Sequence, residues 1–254
     1  MKATPENAGA LFMELTKFEN LEGPSDMALG VKIPDPEYRH PGAGPAISLP
    51  GPDLALLDAR PFSSMLQGRR SRRDFSKEQL PLEELSVLLY STQGVMERTA
   101  YYHLRTVPSA GARHPLETFL CVNRVTGLEP GLYHYLPFSN AVEAVRTDKG
   151  EGEKWKDVCL GQEMVEDSAV DFIWTAVFYR AGWKYKQRGF RYIHLDAGHA
   201  CQNLYLACEA LGLGCCALAA FDDNGCARLL GVDGKEQFCL YMASVGKLPA
   251  PRHR

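Results

Sequence analysis

Four arginines are concentrated in five consecutive positions of the chain, where residues 69–73 read RRSRR and are followed by Asp74 and Phe75. The formal net charge of the whole chain is −3, so this local excess of positive charge predicts a bound anion. Guanidinium groups suit phosphates and electron-rich carbonyl groups because they form paired hydrogen bonds with them. On composition alone, a solvated surface cluster and a nucleic-acid patch stay open as alternatives.

Two further stretches carry residues suited to binding or proton transfer. Residues 107–115, VPSAGARHP, form a loop of small residues, whose backbone a ligand can approach closely. Lys184 and Tyr185 stand side by side in the sequence GWKYK. From the residues alone, a solvated lysine before a helix and a tyrosine packed on the core are the simpler interpretation.

The overall composition bounds the class of protein. With 254 residues and 45% hydrophobic content, the chain can fill one large core or two small ones. The sequence pI of about 6.2 argues against general nucleic-acid binding, which needs a basic surface. Because no apolar run approaches the ~18 residues of a membrane span, and residues 1–7 lack the layout of a signal peptide, we expect a cytoplasmic protein without membrane contact.

Eight cysteines are scattered through apolar stretches, and no pair has the C-x-x-C spacing. This pattern is typical of small core residues in a reducing compartment. The neighbours Cys215 and Cys216 could form a redox pair, but alternation along a strand, which sends their side chains to opposite faces, is favoured. His194 and His199 are five residues apart and do not share a helix face, so we predict no metal site.

Periodicity predicts the elements that must position these residues. Helices are expected over residues 4–19, started by Thr4 and Pro5, and over 54–67, 81–92, 192–211 and 226–230, with another ending near 161. Strands are expected over 116–124, 131–135, 170–179, 215–220 and 238–244. We therefore predict an α+β fold, with an N-terminal helix and irregular arm over residues 1–53 and a single globular unit over residues 54–254.

Three separated motifs resemble those of the FMN-dependent nitroreductase superfamily. Residues 69–75 match its opening motif, residues 108–115 look like its second flavin loop, and residues 211–222 resemble the passage from helix to strand before the loop at the flavin N5. The details of residues 108–117, 131–135 and 192–203 are similar to the azoline (thiazoline and oxazoline) dehydrogenase branch. The resemblance covers roughly residues 55–246.

This resemblance implies a nitroreductase-like fold, with a central mixed or antiparallel sheet flanked by helices, and an obligate-type homodimer with FMN at the subunit interface. Arg69, Ser71 and Arg73 are expected at the phosphate, the ribityl chain or the N1/O2 end, where cations stabilise the reduced flavin. Arg70 should border the flavin, and Arg72 should point away as surface charge. The complete set of expected cofactor contacts is Arg69, Arg70, Ser71, Arg73, Pro108, Ser109, Ala110, Gly111, His114, Ala219, Ala220 and Arg252.

Individual members of this set have particular roles implied by the resemblance. Pro108 and Ser109 should reach the flavin of the other subunit, and the backbone near Ala219 and Ala220 should donate to N5. A basic residue near the C-terminus, Lys247, Arg252 or Arg254, would complete the phosphate site. His114 is expected either at the pyrimidine end of the ring or as a packed loop histidine.

The same resemblance makes Lys184 and Tyr185 the expected catalytic residues. Azoline oxidation removes a proton while hydride goes to N5, so it requires a base near the substrate. Arg188 and Arg191, which follow, are expected to fix the loop to acidic neighbours. The expected function is an FMN-dependent oxidoreductase that dehydrogenates a heterocyclic or peptide-derived substrate. The alternatives are an NAD(P)H-dependent nitro or quinone reductase, and a non-catalytic flavin-binding partner in a biosynthetic complex.

Overall fold

The computed structural model describes residues 4–99 and 102–250 of the chain. In this part of the chain the α-helices are α1 (Ala8–Leu15), α2 (Phe62–Gly68), α3 (Leu82–Gln93), α4 (Glu151–Val158), α5 (Glu163–Asp167), α6 (Phe178–Tyr185), α7 (Gly189–Ala210) and α8 (Asp223–Leu230). Short 3-10 helices cover Phe18–Asn20, Leu54–Ala59, Ala110–Ala112 and Lys186–Arg188. The strands are β1 (Ala46–Ser48), β2 (Val95–Arg98), β3 (His103–Arg105), β4 (Leu116–Val122), β5 (Gly131–Leu136), β6 (Ala141–Thr147), β7 (Val170–Val177), β8 (Leu213–Leu218) and β9 (Gln237–Lys247).

Seven strands form one sheet in the order β1-β6-β5-β4-β7-β9-β8, and every neighbouring pair is antiparallel. β7 lies between β4 and β9, as expected of a central strand, and its side chains are buried from Val170 to Ala176. Strands β2 and β3 form a separate hairpin. The predicted α+β class, with an antiparallel sheet flanked by helices, is confirmed.

A hydrophobic core lies on each face of the sheet. Alternation along β8 sends Cys215 into one core and Cys216 into the other, as predicted for a strand with both faces buried. The eight cysteines are all buried and free. Trp174 and Ile173 on β7 divide between the two cores in the same way.

Helix α7 covers one face of the sheet with a stripe of small residues. Its buried positions include Ala197, Ala200, Leu204 and Ala207, as the periodicity predicts. The helix starts at Gly189, three residues before the predicted start. Small side chains at this spacing let α7 lie close to the sheet, so the residues on its flanks are held in fixed positions.

Several predicted boundaries are wrong. The predicted helix over 4–19 is shortened to α1, and Thr4 does not cap it, because Asn7 is the N-cap and its Oδ1 accepts the Thr4 N–H at 2.9 Å. The predicted helix over 54–67 is divided into a 3-10 helix and α2 by Pro61, whose backbone is extended with φ −58° and ψ 142°. The strand predicted over 170–179 ends at Val177, and the chain continues directly into α6.

The sequence prediction also omitted β1, β2, β3, β6, α5 and α6. Strand β1 lies within the irregular arm, and it joins the edge of the sheet by pairing Ala46 with Glu143 of β6. Among the described residues, no helix is long and apolar enough to cross a membrane. The same ranges hold no group of three or more His, Cys, Asp or Glu side chains arranged to bind a metal ion.

Candidate active site

The arginine-rich segment runs along β8, which forms one edge of the sheet. Helix α2 ends at Gly68, and the Arg72 N–H then donates to the Cys215 carbonyl at 2.9 Å. The ring of Phe75 packs over two glycines, because a Cβ built on Gly214 or Gly246 would lie 3.0 Å from that ring. Phe75 therefore anchors the segment and leaves the arginines at the surface.

Ser71 and Arg69 are arranged around a tyrosine of α7. The Tyr205 hydroxyl lies 2.9 Å from Ser71 Oγ and accepts the Ala217 N–H at 2.8 Å. The Arg69 guanidinium lies over the Tyr205 ring, 5.1 Å from its centroid. Tyr205 thus connects the arginine segment, α7 and β8 through one side chain.

The arginines of this segment differ in their partners. The side chain of Arg72, expected to be a surface charge, is 37% exposed, and its Nη2 lies 3.9 Å from Glu209 Oε2 in an ion pair. Arg60 binds the same carboxylate at 3.1 Å. Arg70 Nη1 donates to the carbonyls of Gln67 and Arg69 at 2.9 and 2.8 Å. Within residues 4–99 and 102–250, neither Arg69 nor Arg73 has a carboxylate in ion-pair contact.

The predicted residues after β8 lie at the surface. Ala219 and Ala220 are exposed, and the Ala220 carbonyl accepts a hydrogen bond from Gln162 Nε2 at 3.0 Å. Arg252 lies outside the described residues. The contacts of these three residues with a flavin stay predictions.

The loop over residues 107–115 is held by a buried aspartate of α7. Ser109 Oγ donates to Asp196 Oδ2 at 2.6 Å, and the Ala110 N–H donates to Asp196 Oδ1 at 3.3 Å. Asp196 is only 5% exposed, and burial raises the pKa of its carboxyl group. The His114 N–H in turn donates to Ser109 Oγ at 2.9 Å, which closes the loop on itself.

Lys184 and Tyr185 converge on Gly111 of this loop. A Cβ built on Gly111 would lie 2.4 Å from Tyr185 Oη and 2.8 Å from Lys184 Nζ. Gly111 also has a φ of +60°, a conformation that glycine adopts without strain. A larger residue at this position would displace one of these side chains. The side-chain ends of the predicted catalytic pair therefore meet at the backbone of the predicted flavin loop.

Packing orients the Tyr185 ring, which meets the Tyr192 ring edge-on at 4.7 Å. Burial raises the pKa of the Tyr185 phenol, so the hydroxyl stays protonated at neutral pH. Lys184 Nζ lies 5.4 Å from the centroid of the Tyr185 ring. The pair thus combines a phenol O–H donor with a neighbouring amine.

His114 is a packed loop histidine. It is 4% exposed, and its ring lies against that of His103 with the centroids 4.8 Å apart. Burial, reinforced by the charge of Arg105, lowers the pKa of His114 to about 2, so the imidazole is neutral. Contact of His114 with a flavin stays a prediction.

The two groups of residues lie apart along α7. Asp196, which holds the loop, and Tyr205, which holds the arginine segment, are nine residues apart. Nine residues advance a helix by about 13–14 Å and by two and a half turns, so the two side chains point from opposite sides of α7. Within one chain, the arginine segment and the loop over residues 107–115, on which Lys184 and Tyr185 converge, are therefore held on different sides of the same helix.

Sequence reasoning missed Asp196 and Tyr205 as site residues. An acidic residue beside Ala197, on the buried face of a helix, was the available signal for Asp196. Arg188 and Arg191 are structural, but their partners are not acidic: they donate to the carbonyl and the hydroxyl of Thr16, at 2.8 and 2.6 Å. These two arginines fix the N-terminal region to α7.

The nitroreductase family model matches residues 66–247, and this chain belongs to that family. A nitroreductase-family protein of Methanocaldococcus jannaschii is 32% identical over 204 residues, which cover 80% of this chain and 98% of that protein. The microcin B17-processing protein McbC of Escherichia coli is 27% identical over 194 residues, covering 68% and 69% of the two chains. The trifolitoxin-processing protein TfxB of Rhizobium leguminosarum is 30% identical over 144 residues, covering 53% of this chain and 39% of TfxB.

Solved structures agree with the fold. A nitroreductase-family structure from Anabaena variabilis superposes with a TM-score of 0.63 at 29% identity, covering 74% of this chain; the present chain spans only 38% of that longer one. A chain of the E. coli microcin synthetase McbBCD complex superposes with a TM-score of 0.61 at 23% identity, covering 98% of this chain and 84% of its own. A structure from Desulfovibrio desulfuricans in complex with FMN superposes at 0.53 with 17% identity, covering 77% and 92%. The resemblance identified in the sequence is thus confirmed.

Proposed function

We propose that this chain is an FMN-dependent oxidoreductase that dehydrogenates a heterocyclic or peptide-derived substrate, with hydride transfer at the flavin N5. The observation that carries this proposal is the convergence of Lys184 Nζ and Tyr185 Oη on Gly111. A reductase that only passes hydride between a nicotinamide and an acceptor needs no such pair, whereas removal of a carbon-bound proton does.

The hydrogen-bond donors of the arginine segment are suited to binding FMN. Arg69 and Arg73 are not neutralised by any carboxylate of the described residues, and Ser71 adds a hydroxyl beside them. Guanidinium and hydroxyl donors match a phosphate, a ribityl chain and a flavin carbonyl. When bound, FMN would supply the two-electron acceptor. The FMN complex of the Desulfovibrio relative supports this choice of cofactor.

The second group of residues would handle the proton. Oxidation of an azoline to an azole removes one hydride and one proton from the ring. Lys184 Nζ is assigned to take the proton, and the protonated Tyr185 hydroxyl is assigned to donate a hydrogen bond that orients the substrate or the amine. The Asp196 carboxylate positions both indirectly, because it fixes the loop against which they pack.

We also propose that two copies of the chain form the complete site. The arginine segment and the loop over residues 107–115 lie on different sides of α7, so a flavin that contacts both must lie between two subunits. Apolar surface available for such a contact includes Leu195, 59% exposed on α7, and a cavity of about 260 Å³ between Leu54, Leu57 and Leu206. Light scattering of the purified protein tests this arrangement.

Similarity to McbC and TfxB favours a substrate that is processed into a larger product, since their names describe the processing of microcin B17 and of trifolitoxin. The McbBCD complex likewise supports work beside other proteins of a biosynthetic complex. A second candidate is therefore a flavin-binding partner without its own chemistry, and a third is an NAD(P)H-dependent nitro or quinone reductase.

Anaerobic reduction of the bound flavin separates these candidates. A thiazoline-containing peptide should bleach the flavin absorbance of the wild-type protein, and Lys184→Ala should slow this step by about 10²–10⁴-fold, the usual contribution of a general base. Tyr185→Phe should slow it less, because it removes only the hydroxyl. Reduction by NADPH that is equally fast in all three proteins, with no reduction by the peptide, would favour the reductase. Failure of both donors would favour the non-catalytic partner.

A further inference from the structure

A second cavity, of about 180 Å³, lies where the N-terminal arm, the β2–β3 hairpin and the loop over residues 107–115 meet. Its apolar wall includes Ile33, Pro34, Pro36, Tyr102 and Phe138. Three arginines, Arg98, Arg113 and Arg180, also line it. The volume corresponds to about six water molecules at roughly 30 Å³ each, so it fits one acidic group with a single ring or short side chain attached.

The arginines around this cavity outnumber the carboxylates. Arg98 lies over the Phe138 ring at 4.7 Å and Arg113 over the Trp183 ring at 5.3 Å, and no described carboxylate forms an ion pair with either. Arg180 is buried and pairs with Glu117 at 2.6 Å.

The charge of Glu117 is shared further, because its Oε2 also contacts His134 Nε2 at 2.9 Å. Arg105 adds a fourth guanidinium, buried behind the wall and bound to the neutral Gln93 side chain at 2.7 Å. Glu37 accepts the Phe138 N–H at 3.2 Å. Because Arg98 and Arg113 have no ion-pair partner among the described residues, they leave a local excess of positive charge at the cavity.

His103 supplies an unsatisfied polar atom at the cavity wall. Its side chain lines the cavity, the residue is 6% exposed, and its Nε2 has no hydrogen-bond partner among the described residues. Burial, and then the charges of Arg105, Arg180, Arg113 and Arg98, lower the pKa of His103 to about 3, so the imidazole is neutral at pH 7. Leaving a buried polar atom without a partner is destabilising, and an oxyanion in the cavity would accept a hydrogen bond from its N–H.

We propose that this cavity is a carboxylate subsite, in which Arg98, Arg113 and His103 bind an acidic group carried on a planar or apolar body. The aromatic wall and the stacked guanidiniums suit such a body, and the forked donors of arginine match the two carboxylate oxygens.

The subsite is next to the proposed catalytic pair. Arg113 Nε donates to the Gly111 carbonyl at 3.0 Å, and Gly111 is the residue on which Lys184 and Tyr185 converge. The Cα atoms of residues 111 and 113 are at most about 7.6 Å apart, two virtual bonds of 3.8 Å. An acidic group in the cavity and a five-membered ring beside Lys184 could therefore belong to one compound or to adjacent residues of one peptide. This link to the reaction rests on the proposed function; binding of the acid does not.

Direct binding of small probes tests the subsite without turnover. Benzoate, its neutral analogue benzamide, and phenyl phosphate would be titrated into the purified protein, with and without added FMN, and followed by calorimetry and by ligand-observed NMR. Arg98→Gln is the informative variant, because Arg98 is exposed and its replacement leaves the core intact. Arg228→Gln is the matched control: it is the same change at an arginine that is 72% exposed in the side chain and lies outside the cavity.

Saturable binding of benzoate, weakened at least tenfold by Arg98→Gln and unchanged by Arg228→Gln, would support the proposal. Absence of saturable benzoate binding, or equal binding of benzamide, would overturn it. Phenyl phosphate that binds far more tightly than benzoate would overturn the assignment to a carboxylate and identify a phosphate subsite. Because flavin content is read separately from the absorption spectrum, a protein that takes up FMN but not benzoate refutes the subsite alone.

Discussion

Asp196 holds Ser109 through a hydrogen bond of 2.6 Å between Oδ2 and the serine hydroxyl, and the same carboxylate accepts the Ala110 N–H. The contact joins α7 to a loop 87 positions away in sequence. A carboxylate this deeply buried is retained only where its oxygens are satisfied. The order of the loop over residues 107–115 therefore depends on one side chain of a helix.

The effects of replacing Ser109 and Asp196 on the free energy of unfolding should be coupled. Ser109→Ala and Asp196→Ala should each destabilise the fold, and the loss in the double variant should fall short of the sum by about 1–2 kcal/mol, the scale of a hydrogen bond to a charged group. Urea unfolding of the four proteins gives the coupling. Ser63→Ala, at an exposed serine of α2, is a control that should change little. Strict additivity would show that the contact has no energetic weight.

Replacement of Gly111 should displace the proposed catalytic pair. In Gly111→Ala, the new methyl group would overlap Tyr185 Oη and Lys184 Nζ, so dehydrogenation should fall at least tenfold while flavin content is retained. Gly127→Ala is the control. Gly127 also has a positive φ, +82°, so its replacement strains the backbone in the same way, but a Cβ there would lie 3.8 Å from its nearest atom, Leu82 Cδ2, and would displace nothing. Both variants should lose about 1 kcal/mol from the strained φ. Equal activity in the two variants would contradict the convergence.

The arginines of residues 69–73 should divide into binding and structural members. Arg69→Ala should lose flavin absorbance with little change in melting temperature, because Arg69 has no carboxylate partner among the described residues. Arg72→Ala should keep the flavin and lose up to about 1 kcal/mol of stability, since it leaves Glu209 paired with Arg60 alone. The flavin-to-protein absorbance ratio and a thermal melt check both. Flavin loss in Arg72→Ala alone would reverse the assignment.

Asp171 should make stability fall as pH rises. It lies buried between Ser244 and Ser168, at 2.5 and 3.0 Å, and burial raises its pKa to about 8. The Ser168 hydroxyl has a single hydrogen, and the Val165 carbonyl, 3.1 Å away, can accept it. A protonated Asp171 can therefore donate to Ser168 Oγ while Ser168 donates to Val165.

The sign of the effect follows from the two pKa values. In the unfolded chain an aspartate titrates near pH 3.9, so between about pH 4 and pH 8 only the folded state holds this proton. Stability should therefore decrease by up to about 1.4 kcal/mol per pH unit over this window and level off above it. Asp171→Asn keeps a neutral hydrogen-bond donor and removes the contribution of this carboxyl group to the pH dependence of stability. Urea unfolding at pH 5 and pH 7.5 should show a smaller decrease for the variant; parallel decreases would refute the assignment.

The strands and helices with strong periodicity could be predicted from the sequence. β4 and β5 are buried at every position and β7 at all but its last, whereas α3 and α7 each bury one helical face, and the apolar residues of the sequence follow both arrangements. β1 and β6 could not be predicted in this way, because β1 is three exposed residues that are extended only by pairing with β6. Both strands are held in place by pairing with residues that are distant in sequence or by the packing of the sheet.

The residues of the candidate site also fall into those that local sequence identifies and those that it does not. The arginine segment and the loop over residues 107–115 are contiguous motifs, so local sequence identified them. Asp196 and Tyr205 act on partners 87 and 134 positions away, and only Asp196 has a local signal, which is an acidic side chain on the buried face of a helix. The ion pair of Arg72 with Glu209 could not be predicted for the same reason, because Glu209 lies on the distant α7.

The placement of Cys215 and Cys216 on opposite faces of β8 gives the protein a built-in reporter of unfolding. A thiol reagent cannot reach either side chain, nor the other six buried cysteines, without opening of the surrounding structure. Burial also raises the pKa of both thiols, which suppresses the reactive thiolate. The rate of thiol labelling should therefore measure how often each face of the sheet opens, with one residue of the adjacent pair reporting from each side.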